Sequence, residues 1–414
     1  MTETAEHSTV NHSDSPPRHG TTSKVSGMED WSREADGLDR PQPLDQTEQA
    51  RLIRESFQVI AQHGDRVALH FFAELFLRHP ELRDLFPVAM SELRGGLFDA
   101  ITTIVQRIVS TGTLVPFLQQ LGRDHRKYDI RTEHFAYVGE ALMITLEKYA
   151  GEAWTPQVAE AWRSTYDLAA KVMLQAMQSV PPGTPRWWDA EVLHHQRYPG
   201  RIAVIVVRPH QPLPYVAGQY VTIETPYWPR VWRPFSIANA PREDHLLEFH
   251  VRAVGAGWVS NALVGKVQVG DRLKLGSAMG SMVLDETSDR PVLCVAGGTG
   301  LAPLKAIAQA FARDPRGRTL HLFFGARDDD ELYDLENLLH LAEACPAITV
   351  VPVVSQYPSQ RWRFGSLPDV VAESGNWAGH DVYVCGPPQM VTATVRRLAD
   401  QGCPTSRIFY DPVT

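Results

Sequence analysis

The chain has 414 residues, which at roughly 100–200 residues per domain suggests two to four domains. Its 40 lysines and arginines against 48 aspartates and glutamates leave a net charge of −8, without the basic stripe that a nucleic-acid partner selects. No apolar run approaches the ~20 residues that span a bilayer, there is no N-terminal signal core, and the four cysteines (Cys294, Cys345, Cys385, Cys403) form no CxxC pair. Membrane insertion, a disulfide framework, a structural zinc site and a fused ferredoxin cluster are thereby excluded, and a cytoplasmic protein is expected.

Residues 1–44 are rich in Ser, Thr, Glu, Asp and Pro and show no apolar periodicity, so they are predicted to be a disordered tail. Residues 45–180 read as helical almost throughout. Val67, Phe71 and Leu75 share one face with Ala68, Phe72 and Phe76 beside them. Leu93, Leu97, Ile101, Ile104, Val105 and Ile108 form a second stripe, and Leu168, Val172 and Met173 belong to a third. Pro80 and Pro156 stand where proline starts a helix.

Residues 181–185, Pro-Pro-Gly-Thr-Pro, are a linker by composition. Short β runs follow across residues 186–288, at Ile202 to Val207, Tyr220 to Glu224, Leu247 to Arg252 and Arg272 to Leu275. Their spacing predicts a small antiparallel barrel or sandwich. Across residues 289–414 strands alternate with helices, the strands being Val292–Ala296, Leu320–Phe324, Thr349–Val354 and Val382–Cys385. Helical stretches cover Glu331–Ala344 and Gln389–Gln401, and the alternation predicts a parallel sheet with helices on both faces. The fold class is therefore multi-domain: all-α, then antiparallel β, then α/β.

The strand at Val292 runs into Gly297-Gly298-Thr299-Gly300 ahead of a helix, a loop in which backbone N–H groups can approach a pyrophosphate. Arg233-Pro234-Phe235-Ser236 follows the strand that begins at Tyr220, and Cys385-Gly386-Pro387-Pro388 ends a later one. Each alone has a plain alternative: a tight turn for the glycines, a packed thiol for Cys385. In this order and on these elements they resemble the ferredoxin–NADP reductase superfamily over about residues 188–411. The resemblance implies FAD on the barrel and a nicotinamide nucleotide on the α/β domain.

Carried over by position, Arg233 would pair with the FAD pyrophosphate and Ser236 would bond near flavin N5. Arg252, Gly257 and Ser260 would form a second pyrophosphate-binding stretch. Gly298, Thr299 and Gly300 would meet the nicotinamide nucleotide, with Cys385, Gly386 and Pro387 beside its ring. Phe235 replaces the usual tyrosine, keeping its stacking surface and losing a hydrogen bond. Tyr410-Asp411-Pro412-Val413 stands where relatives carry a Glu-x-aromatic pattern. After the second strand, Asp328, Asp329 and Asp330 would repel a 2′-phosphate that Arg327 could attract, so NADH is preferred over NADPH.

In the helical part, His79-Pro80-Glu81-Leu82-Arg83-Asp84-Leu85-Phe86 and Gly122-Arg123-Asp124-His125-Arg126-Lys127-Tyr128 flank the second apolar stripe. These segments resemble a bacterial globin. A globin joined to such a reductase is the flavohaemoglobin arrangement, and it covers all but the first ~45 residues. The resemblance makes His125 the axial ligand of a b-type haem, with Phe86 packed on the haem plane. The usual distal tyrosine and glutamine are replaced by Phe72 and Leu93. The usual proximal tyrosine and glutamate are replaced by Phe135 and Met177.

The family's activity implies that hydride passes from NAD(P)H to FAD, electrons pass singly to haem, and NO with O2 becomes nitrate. The ligands expected are therefore O2, NO and NAD(P)H, and a protein partner stays open. Two alternatives remain: a flavohaem reductase serving another electron acceptor, and a haem-based redox or gas sensor that signals through the tail.

Overall fold

The computed structural model describes residues 45–88 and 90–411, so the tail expected at residues 1–44 lies outside the described residues, as do Pro412 and Val413. Helices α1 (Gln46–Ala61), α2 (Asp65–Arg78), α3 (Ser91–Arg107), α4 (Thr111–His125), α5 (Thr132–Ala150) and α6 (Pro156–Gln178) form the all-α part. Pro80 opens a short helical turn and Pro156 occupies the first turn of α6, where Thr155 caps by accepting from the Val158 N–H. The first stripe is buried as expected at Val67, Ala68, Phe71, Phe72 and Leu75.

Leu168 departs from expectation. The buried line of α6 runs through Val158, Ala161, Thr165, Ala169, Met173 and Ala176, and Leu168 falls one residue off it with 53% of its surface exposed. Small residues on that line let α4 pack closely. At the crossing a methyl on Gly122 would stand 2.5 Å from the Met173 carbonyl oxygen, so the turn of α4 just before His125 is fixed by backbone contact.

The next part carries β1 (Trp188–Tyr198), β2 (Ile202–Pro209), β3 (Tyr220–Glu224), β4 (Arg233–Ser236), β5 (Leu247–Arg252), α7 (Trp258–Gly265) and β6 (Arg272–Leu275). They make one antiparallel sheet in the order β4-β3-β6-β1-β2-β5. An isolated bridge between Ile237, just past β4, and Phe249 on β5 joins the two edges. Strand β1 escaped the sequence reading because its apolar alternation ends at Val192, beyond which it is half-buried or exposed while still pairing with β2 as far as Tyr198.

The last part contains β7 (Val292–Gly297), α8 (Leu301–Arg313), β8 (Leu320–Ala326), α9 (Leu335–Ala344), β9 (Ile348–Val354), β10 (Arg363–Phe364), α10 (Leu367–Glu373), β11 (Asp381–Cys385), α11 (Pro388–Asp400) and β12 (Ile408–Phe409). The sheet is parallel in the order β10-β9-β8-β7-β11-β12. Val292, Cys294 and Ala296 of β7 pack on α8 and α9, while Leu293 and Val295 pack on α10 and α11. Both faces are covered, as the near-continuous apolar strands require. The helix expected from Glu331 starts only at Leu335, because Glu331 turns inward from a separate single turn.

This order makes β7 and β11 neighbours although three other strands, β8, β9 and β10, separate them in sequence. Chain progression reverses there, and the loops after the two strands open a crevice at their carboxyl ends, the position where such sheets bind nucleotides. No helix among the described residues is long and apolar enough to cross a membrane.

Candidate functional site

His125 closes α4, and its Nδ1 lies 2.7 Å from the Leu121 carbonyl oxygen one turn earlier. A carbonyl only accepts, so Nδ1 carries the proton and donates, which leaves the Nε2 lone pair available for a metal. Burial pushes the imidazole pKa down, favouring the neutral form that ligates iron. This donor set fits a haem ligand.

The structure brings Phe72 and Phe86 together, their ring centres 5.7 Å apart and nearly perpendicular, with Phe76 against both at 6.0 Å and 5.1 Å. Leu93 stands half-buried on α3. Phe135 packs with Leu114, Leu118, Ala169 and Met173, and its carbonyl accepts from Tyr166 Oη at 2.6 Å. Met177 lines a hollow of about 370 Å³ with Arg126, Ile130 and Arg131. Neither Phe135 nor Met177 can offer the imidazole a hydrogen bond from its side chain; the Leu121 carbonyl and an edge contact with the Tyr128 ring, 5.9 Å between ring centres, orient it.

On the antiparallel sheet, Arg233 and Ser236 lie on β4 with Phe235 between them, and β4 pairs with β3 so that Tyr220 faces Ser236. Burial lowers the Arg233 pKa, and its Nη1 donates to the Trp232 carbonyl at 2.6 Å. A half-buried guanidinium at a strand edge fits a pyrophosphate. Gly257 caps α7, and Ser260 Oγ donates back to the Gly257 carbonyl at 3.2 Å, folding the turn around residues 254–260.

Arg252 forms an ion pair with Glu331 of the parallel-sheet part at 3.3 Å. Glu331 also takes Arg327, whose Nε lies 2.9 Å from Oε1. Sequence reasoning missed Glu331, which sits at the end of an acidic run that reads as solvated yet is only 3% exposed. Its signal was the arginine four residues earlier.

The nucleotide loops meet as the strand order demands. A methyl on Gly300 would stand 2.3 Å from the Cys385 carbonyl oxygen, so residues 298–300 and 385–387 approach backbone to backbone. A side chain on Gly298 would meet Arg252 Nη2 at 3.4 Å, so the Arg252 guanidinium stands beside this loop. The Cys385 thiol pKa is pushed up to about 12 by burial, with the nearby Asp411 carboxylate adding to it. At neutral pH it is a thiol that fills space and carries no charge.

Comparison with known proteins follows the same division. The globin family model matches residues 69–173, the oxidoreductase FAD-binding domain 201–283 and the oxidoreductase NAD-binding domain 294–396. A flavohemoprotein of Bacillus subtilis (strain 168) is 24% identical over 388 residues, covering 87% of this chain and 95% of that one. The crystal structure of a flavohemoglobin from Malassezia yamatoensis with bound FAD and heme superposes with a TM-score of 0.73 at 18% identity. It covers 88% of this chain and 98% of its own. The chain has the flavohaemoglobin architecture.

It is an oxidoreductase in which electrons run from a nicotinamide nucleotide through FAD to haem. Within that architecture the reductase half has its own likeness. The ferredoxin–NAD(P)+ reductase component of naphthalene 1,2-dioxygenase/salicylate 5-hydroxylase systems of Ralstonia sp is 36% identical over 203 residues. That match spans 49% of this chain and 61% of the relative.

Proposed function

We propose that this flavohaem oxidoreductase converts NO and O2 to nitrate at the expense of NADH. The observation that carries the reading is His125, held by one backbone carbonyl in the tautomer that presents Nε2 to iron. Haem supplies the iron at which O2 and NO combine, and FAD turns a hydride pair into single electrons. The remaining work falls to this chain's side chains. Arg233 and the β4 strand would hold the flavin, with the Ser236 hydroxyl offering it a hydrogen bond. The closely approaching loops 298–300 and 385–387 would seat the nicotinamide nucleotide. Phe72, Phe76 and Phe86 would exclude water from the haem pocket.

NADH is favoured because Arg327 is committed to Glu331, leaving Asp328, Asp329 and Asp330 unopposed around a 2′-phosphate. Comparing kcat/KM for the two nucleotides should show NADH ahead by ~10-fold or more, about 1.4 kcal/mol in barrier. Equal values would remove this argument.

The activity itself is tested by NO consumption in air by the haem- and FAD-loaded chain. NADH-dependent loss of NO with one nitrate per NO supports the reading. Negligible loss, with NADH still reducing flavin and haem, would overturn it in favour of another electron acceptor. The aromatic group around Phe72 is the observation on the side of that second reading, because its rings offer bound O2 no hydrogen bond.

A further inference from the structure

Lys127 stands in the short turn after α4, yet it is only 6% exposed. Its ammonium donates to Asp124 Oδ1 at 2.5 Å and, across to the antiparallel sheet, to Thr222 Oγ1 at 2.9 Å on β3. It lies 5.2 Å from the Trp232 ring centre and 5.0 Å from that of Tyr128. The cradle on the sheet side is tight: a methyl on Gly276 would stand 2.4 Å from Thr222 Oγ1 and 3.7 Å from Lys127 Cδ.

Both ends of this contact matter. Asp124 immediately precedes His125, and Trp232 immediately precedes Arg233 at the head of the flavin strand. Thr222 pairs with Pro234 in the same β3–β4 ladder. A second contact from the same loop runs to the other side of the globin, where Arg230 Nη1 lies 3.5 Å from the Phe86 carbonyl.

A buried ion pair adds little net stability, because removing both charges from water costs about what their attraction returns. What it adds is direction, since an ammonium must aim its protons at fixed acceptors. An apolar contact of the same area would let the two parts slide.

We propose that Lys127 and Asp124 are a positioning pair that seats the axial-histidine segment on the flavin-binding strands and thereby sets the rate of flavin-to-haem electron transfer. The inference rests on the flavohaem reading. One electron leaves reduced flavin and one arrives at ferric haem, and no atom is transferred.

The test uses the full chain loaded with haem and FAD, mixed with NADH without oxygen. In Lys127→Met the flavin should bleach at the rate of the unaltered chain, while the following Soret shift slows by ~10-fold or more, about 1.4 kcal/mol in barrier. Thr222→Val leaves the Asp124 pair intact and removes only the cross-domain bond, so it should slow the same step to a smaller degree. If Lys127→Met fails to fold, Thr222→Val decides the matter.

A second readout is independent of turnover. In the cofactor-free chain, hydrogen exchange should rise together in residues 121–131 and 220–236 of each variant, with α11 unchanged. Equal slowing of both electron steps, or no change in either step and no change in exchange, would overturn the proposal. A missing Soret band in the unaltered chain would contradict the haem reading itself and the inference with it.

Discussion

Phe72 sits 5.7 Å from Phe86 in a group of three phenylalanines, whose rings would offer a gas bound beside them no hydrogen bond. Restoring one donor tests what that absence costs. Phe72→Tyr should strengthen O2 binding by roughly 1–3 kcal/mol, about tenfold to a hundredfold, read as a slower O2 off-rate. An unchanged off-rate would place Phe72 away from the ligand. His125, Phe72 and Phe86 were legible because a short segment around each resembles globin sequence. Lys127 and Glu331 were not, because a lysine among basic residues and a glutamate closing an acidic run both read as solvated. Only the fold shows that each is buried against an oppositely charged side chain from its own turn.

At the scale of elements, the approach of the α8 loop to the end of β11 decides whether the nucleotide crevice forms. Gly300→Ala would drive a methyl against the Cys385 carbonyl at 2.3 Å, and overpacking of this kind typically costs ~1–3 kcal/mol. The expected result is a lower melting temperature and a raised KM for NADH, with the haem Soret band unaltered. The four inner strands of the parallel sheet, β7, β8, β9 and β11, were readable to within two residues because both faces are buried and the apolar runs are continuous, whereas the two-residue edge strands β10 and β12 carry too short a pattern to read. β4 was quoted as a motif and not as a strand, since four residues with none fully buried give no alternation. Leu168 shows the converse, an apolar residue at helical spacing that the true burial line of α6 leaves outside.

Across the whole molecule, the flavin and nicotinamide parts are clamped by a polar cluster distinct from the Arg252–Glu331 pair. Lys305 of α8 reaches Glu248 of β5 at 2.8 Å and Asp334 at 2.7 Å, while His250 bonds Glu248 at 2.7 Å and Tyr333 Oη at 2.8 Å. Lys305 thus supplies the positive charge that these two carboxylates require. Burial would raise the Glu248 carboxyl, but the His250 hydrogen bond and the Lys305 ammonium outweigh it and hold the pKa at about 2. A depressed carboxyl stabilises the fold above its unfolded pKa and loses that contribution as pH falls toward its folded value. Denaturant unfolding should therefore show stability falling between the ordinary carboxyl pKa of 4.5 and about 2, and Glu248→Gln should flatten that slope.

We infer that electrons run from NADH through flavin to a haem held by His125. Anaerobic mixing with NADH, followed at the flavin and Soret bands in the unaltered chain and in His125→Ala, tests it most directly. Flavin should bleach first and the Soret band shift second, and His125→Ala should keep the flavin step while losing the Soret band of histidine-ligated haem. A Soret band unmoved by NADH, or one left unchanged by His125→Ala, would contradict it.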